Sequence, residues 1–199
     1  MTAVRHRRVG VIGLIADLQG NQGFVTPLIA ELASDWIVAP NLPFTTTELQ
    51  RELQKVLSSS PLPELLPDFF AFRVADRLGQ KSYGSSMTMG GLLAIIDAAS
   101  NFRCPLLGTA VALVEPAETG RLRPVEHITQ KLRAFERELG NGTLLVRTMN
   151  CPEAAVFDHL FSAVWTVDSS TELARQLEHQ GLLAGFQERS PLDRHKLRV

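Results

Sequence analysis

The sequence predicts a domain of the α/β or α+β class, and three observations carry that expectation. Apolar runs of strand length, at residues 9–15, 69–74 and 106–115, alternate with segments whose apolar residues recur at helical spacing. Two helix starts carry capping patterns, Thr45-x-x-Glu48 and Ser169-x-x-Glu172. The 199 residues show no repeat or low-complexity tract, and at 45% hydrophobic and 21% charged they can bury one substantial core.

The elements follow in order. Residues 9–15 (Val-Gly-Val-Ile-Gly-Leu-Ile) read as a buried strand, and Gln19-Gly20-Asn21-Gln22-Gly23 as a turn into a second strand at 24–29. Trp36-Ile37-Val38 is a third strand. Behind the Thr45/Glu48 box, Leu49, Leu53, Val56 and Leu57 fall on one helical face. Pro61, Pro63 and Pro67 make 58–67 a loop. A strand at 69–74 and a loop at 78–84 come next. Ser85 or Ser86 is then expected to cap a helix running to about Ala99. One long strand is predicted over 106–115, a turn over 116–120, and a short strand up to Pro124. Ile128, Leu132, Phe135 and Leu139 mark a helix that Gly140-Asn141-Gly142 stops. A strand at 143–146, a short helix at 153–160, a strand at 163–167 and a helix ending near Gly181 complete the set. The division expected is one domain over 1–186 and a polar tail over 187–199.

Composition excludes several classes of function. Twenty Lys and Arg balance 21 Asp and Glu, so net charge gives no case for nucleic-acid or membrane partners. Arg5-His6-Arg7-Arg8 reads as a solvated arm. No apolar run reaches the roughly 18 residues of a membrane span. The apolar residues before Asp17 and Gln19 lead to no cleavage site, so no signal peptide is expected. Cys104 and Cys151 have no CxxC spacing and read as reduced, structural residues of a cytoplasmic protein. HExxH, a dinucleotide fingerprint and paired metal-ligand spacings are missing, so neither a cofactor nor a metal is expected.

From about Arg8 to Leu183 the order of elements resembles the proteolytic domain of Lon proteases and the related C-terminal domain of RadA. Val11-Ile12-Gly13-Leu14 looks like the Val-x-Gly-Leu strand that opens the Lon domain. Ser86-Met87-Thr88-Met89 resembles the Gly-Ile-[Ala/Thr]-Met after the Lon nucleophile. Gly120-Arg121-Leu122-Arg123-Pro124-Val125 is similar to the Gly-x-Val-x-Pro-[Ile/Val] strand before the catalytic lysine, and Thr143-Leu144-Leu145-Val146 to the Thr-Val-Leu-Ile beyond it. The resemblance implies a mixed sheet with packed helices. It also implies a Ser/Lys site between a helix N-terminus and a neighbouring helix.

The register of that site departs from the family pattern. Counted without gaps, Gly84 takes the nucleophile's place and Thr129 the lysine's, with Ser85, Ser86 and Lys131 one or two residues away. Two residues on a helix turn about 200°. On this count Lys131 is expected to face solvent, and it could reach the site only through a distorted helix start. Leu113-Val114-Glu115 replaces the family's Thr-Gly-Glu, and Lys81 stands where it has an acidic residue. His127 reads as a surface or capping histidine and Glu126 as a helix-start carboxylate. RadA shares the pattern at Arg123-Pro124-Val125 and Lys131-Leu132, and lacks a working dyad. Gly84-Ser85-Ser86 also looks like the phosphate loop of GHMP kinases, but no second glycine-rich motif follows.

The leading expectation is therefore a Lon-like domain without peptidase activity, acting in assembly or partner binding. The alternative is a serine peptidase in which Ser85, or second Ser86, attacks an amide and Lys131 takes its proton. The partners implied are a protein or peptide, a separate ATPase and further copies of the chain, with no membrane and no nucleic acid. The chain has no ATPase module of its own, and it could equally be one domain of a longer protein.

Overall fold

The computed structural model describes residues 9–17, 19–33, 37–38, 45–59, 71–76, 85–117 and 120–184. The expectations for the N-terminal arm, the 60–67 loop, Phe69 and Phe70, the 78–84 loop and the 187–199 tail lie outside the described residues.

Within them, the predicted class holds: a mixed sheet with helices packed on it. Seven strands form the sheet, β1 (Gly10–Ala16), β2 (Gly23–Ala33), β3 (Ile37–Val38), β4 (Ala71–Asp76), β5 (Thr109–Ala112), β8 (Gly142–Arg147) and β9 (Phe161–Thr166), in the order β3-β4-β2-β1-β5-β8-β9. β1, β2 and β4 run antiparallel to their neighbours in that series, with Gly13 opposite Thr26 and Ala30 opposite Val74. From β1 through β5 and β8 to β9 every pairing is parallel, as is β3 with β4. Parallel strands covered on both faces are apolar throughout, and β5 is buried at all four positions.

Alternation along β1 divides the core in two. Val11 and Ile15 point into one cluster with α1 (Thr46–Ser58), α2 (Thr88–Ala99) and α5 (Ser170–His179). Ile12 and Leu14 point into the other, with α3 (Ile128–Glu138) and α4 (Pro152–Ala155). α2 is buried at all twelve positions, which its apolar run Leu92, Leu93, Ile95 and Ile96 allows. Phe135 of α3 stacks on Phe161 of β9, ring centroids 4.9 Å apart. Arg147 grips Asp158 through two bonds, at 2.9 and 2.7 Å.

Two sequence expectations need correction. The long strand expected over 106–115 is broken into a 3-10 turn at Pro105–Leu107, β5, and the separate strand β6 (Val114–Pro116). Side chains keep alternating across the break, with Ala112 and Val114 in the α2 cluster and Val111 and Leu113 in the α3 cluster, so what changes at Leu113 is the strand pairing. β6 then leaves the large sheet and pairs with β7 (Leu122–Pro124) as a two-stranded ribbon. The short helix expected over 153–160 is α4 followed by a 3-10 turn, Asp158–Leu160.

Candidate functional site

The chain enters α2 through a 3-10 turn, Ser85–Met87. Neither serine stands at the N-cap position, contrary to the sequence expectation. The N-cap is Met87, in αR backbone and with no side-chain cap bond. The turn is seated by apolar packing instead. Met87 lies over Gly13 of β1, where a Cβ would come within 2.5 Å of its Cε. The turn also packs against β6, at the point where the chain leaves β5. Ser86 is half-buried there, so its hydroxyl is not consumed by the helix it precedes. Gly84 and the Ser85 side chain lie outside the described residues.

Lys131 approaches from the other side of the sheet. It sits in the first turn of α3, its N–H bonded to the His127 carbonyl at 3.1 Å. It is 4% exposed, which corrects the expectation that it faces solvent. At 100° per residue it lies about 60° from Ile128 and about 40° from Phe135, and so belongs to the buried stripe of the helix. Its Nζ donates to Ser86 Oγ at 3.3 Å. The helices carrying the two groups pack on opposite faces of the sheet, and the side chains meet where β5 gives way to β6.

Electrostatics favour a reactive amine. Burial pushes Lys131 down from its ordinary value to about 8, against the opposing pull of Glu115 and then Glu126. Glu115, on β6, is itself buried and bonded by Arg123 Nε across the ribbon at 2.8 Å. That guanidinium satisfies part of the carboxylate's charge and so tempers its hold on the ammonium. Leu113 is buried and apolar, so no hydroxyl comes from that position.

The start of α3 is irregular at one residue. His127 occupies the N-cap position of α3 in left-handed backbone, φ 56° and ψ 39°, and its side chain makes no cap bond. It is exposed, as expected of a surface histidine, with its ring against Gly20. Glu126 is exposed at the helix start. The signal missed in the sequence was the stripe itself. Measured against Ile128, Leu132 and Phe135, rather than against Thr129, position 131 falls on the inward face.

No family model and no curated protein matches this chain. The site is therefore read from its own geometry.

Three further facts bound its chemistry. Among the described residues no group of three or more His, Cys, Asp or Glu is placed to hold a metal ion. Cys104 and Cys151 are buried thiols not joined in a disulfide. No described helix is long and apolar enough to cross a membrane. What the site does offer is a hydroxyl touching a buried amine with a lowered pKa, beside the positive end of a twelve-residue helix. A neutral amine can take the hydroxyl proton, and free N–H groups at a helix start can bind a developing oxyanion.

Proposed function

We propose that this chain is a Lon-like serine peptidase in which Ser86 is the nucleophile and Lys131 the general base. The observation that carries the reading is the 3.3 Å contact between Ser86 Oγ and the buried Lys131 Nζ. Counting residues favours an inactive domain; the burial of Lys131 on the inward stripe of α3 removes one reason for that preference.

The chemistry runs as follows. Ser86 Oγ attacks the amide carbonyl as its proton passes to neutral Lys131. The tetrahedral oxyanion gathers at the start of α2. The C–N bond then breaks, Lys131 returns the proton to the departing amine, and an acyl group remains on Ser86. Water, deprotonated by Lys131, releases the acid and restores the serine. Substrates are peptides already unfolded, or proteins delivered by a separate ATPase. The cytoplasm and a homo-oligomeric state are the setting that fits this reading.

A second reading, a Lon-like domain used for assembly or partner binding, is favoured by one feature. Leu113 leaves Lys131 without the hydroxyl partner that the family supplies. Cleavage of casein and of unstructured peptides separates the two. The peptidase reading expects cleavage by wild type that disappears in Ser86→Ala and Lys131→Ala and survives in Ser85→Ala. Absence of cleavage by wild type, in every oligomeric state isolated, favours the second reading.

A further inference from the structure

The contact between Ser86 and Lys131 depends on where α3 begins, and no side-chain cap fixes that start. Left-handed backbone at a non-glycine residue persists only where its surroundings enforce it. At His127 the surroundings are the β1–β2 hairpin. Its turn is internally pinned: the Asp17 carboxylate accepts the Asn21 N–H at 2.7 Å. The Gly20 N–H donates to the Asp17 carbonyl, and the Asp17 N–H to the Gln22 carbonyl, each at 2.9 Å.

Two glycines of this hairpin face α3. A Cβ on Gly20 would overlap Cε1 and Nδ1 of the His127 ring. A Cβ on Gly23 would overlap the carbonyl of Gln130, the residue before Lys131, and lie 3.0 Å from Ala134 Cβ. Gly20 also has φ +68°, which calls for glycine on its own account. Gly23 has no left-handed φ, and what it meets is backbone. The missing side chain at Gly23 therefore answers to the approach of α3 alone.

We propose that Gly20 and Gly23 are positioning residues for the base, admitting the first turn of α3 against the hairpin and so setting Lys131 beside Ser86. The inference rests on Ser86 and Lys131 as the acting pair. The charged groups bearing on Lys131, Glu115 from β6 and Glu126 ahead of α3, stay in place in every variant used to test it.

The test is a ¹³C NMR titration of Lys131 Cε in the whole chain, assigned through Lys131→Arg. Wild type is expected to titrate near 8. Gly23→Ala is expected to titrate about one unit or more higher, as its amine loses enclosure, and to hydrolyse peptides at least about tenfold more slowly. Gly140→Ala is the control. It has φ +75° and open space around a new Cβ, so it loses stability while Lys131 titrates as in wild type. A folded Gly23→Ala with the wild-type midpoint overturns the proposal. If Gly23→Ala does not fold, Gly20→Ala takes its place, with the same expectation and the same overturning result. Adding His127→Gly to Gly20→Ala removes the ring and must bring the midpoint back.

A wild-type midpoint near 10.5 would sink the acting pair rather than the clasp. Amide exchange in the first turn of α3 then decides the clasp. About tenfold faster exchange in Gly23→Ala than in Gly140→Ala supports it, and equal rates overturn it.

Discussion

The starts of α1 and α3 differ in what determines them. α1 opens on a complete capping box: Glu48 N–H donates to Thr45 Oγ1 at 3.1 Å, and Thr45 N–H to Glu48 Oε2 at 2.6 Å. Everything that fixes that start lies within four residues, and extended backbone at Thr45 carries no strain. α3 opens on a left-handed histidine with no cap bond, against a hairpin more than a hundred residues earlier in the chain. The first start serves the helix. The second, on the proposal above, seats the turn that carries Lys131. Strain kept at a position and repaid by tertiary contact is the usual mark of function.

The comparison is broken most forcefully at the site. Ser86→Ala and Lys131→Met should each reduce peptide hydrolysis by about a thousandfold or more, and the double variant should be little worse than either. Steady-state rates on a fluorogenic peptide check this, and additive losses would mean that the two groups do not act together. Thr45→Ala should leave the same rates unchanged.

Stability should move in the opposite sense. A buried ammonium opposes folding, so Lys131→Met is expected to stabilise the protein by on the order of 2 kcal/mol at pH 7. The pH dependence follows from the direction of the shift. Lys131 titrates near 8 when folded and near 10.5 when unfolded, so the unfolded chain holds more protons between those values. Wild-type stability therefore gains a rising contribution from about pH 8 to 10.5, and Lys131→Met lacks it. Urea unfolding of both proteins across that range is the measurement.

The helix starts give the two smallest effects. Thr45→Ala should cost about 1 kcal/mol, because it leaves the Glu48 N–H without its acceptor. His127→Gly should change stability by less than about 1 kcal/mol, since relief of the left-handed backbone offsets the lost ring packing on Gly20. Thermal melts compare them directly. A large loss in His127→Gly would mean that the ring, rather than the backbone conformation, holds α3.

This contrast also explains what the sequence made legible. The Thr45 and Ser169 caps, the inward face of α1 and the strands β1 and β8 are local patterns, and each is found where its residues predict it. The break at Leu113 was hidden because both the buried run and its alternation between the two core clusters continue across it from Ala110 to Val114. The lysine was misread because it was measured against Thr129 rather than against the stripe of Ile128, Leu132 and Phe135 on its own helix. What the sequence did not disclose is the left-handed residue at the start of α3 and the hairpin glycines packed against it. Ser85 ranks ahead of Ser86 in the sequence because it needs only a one-residue slip in the preceding loop, and its side chain lies outside the described residues. A helix cap was expected where the chain forms a 3-10 turn seated on Gly13.

The most direct test is the rate at which Ser86 is acylated by a peptidyl active ester, followed by intact mass and peptide mapping from pH 6 to pH 10. The account predicts one acyl group, on Ser86, at a rate rising with a midpoint near 8 and lost in Lys131→Met. Acylation elsewhere, or at Ser86 with a rate indifferent to Lys131, would contradict it.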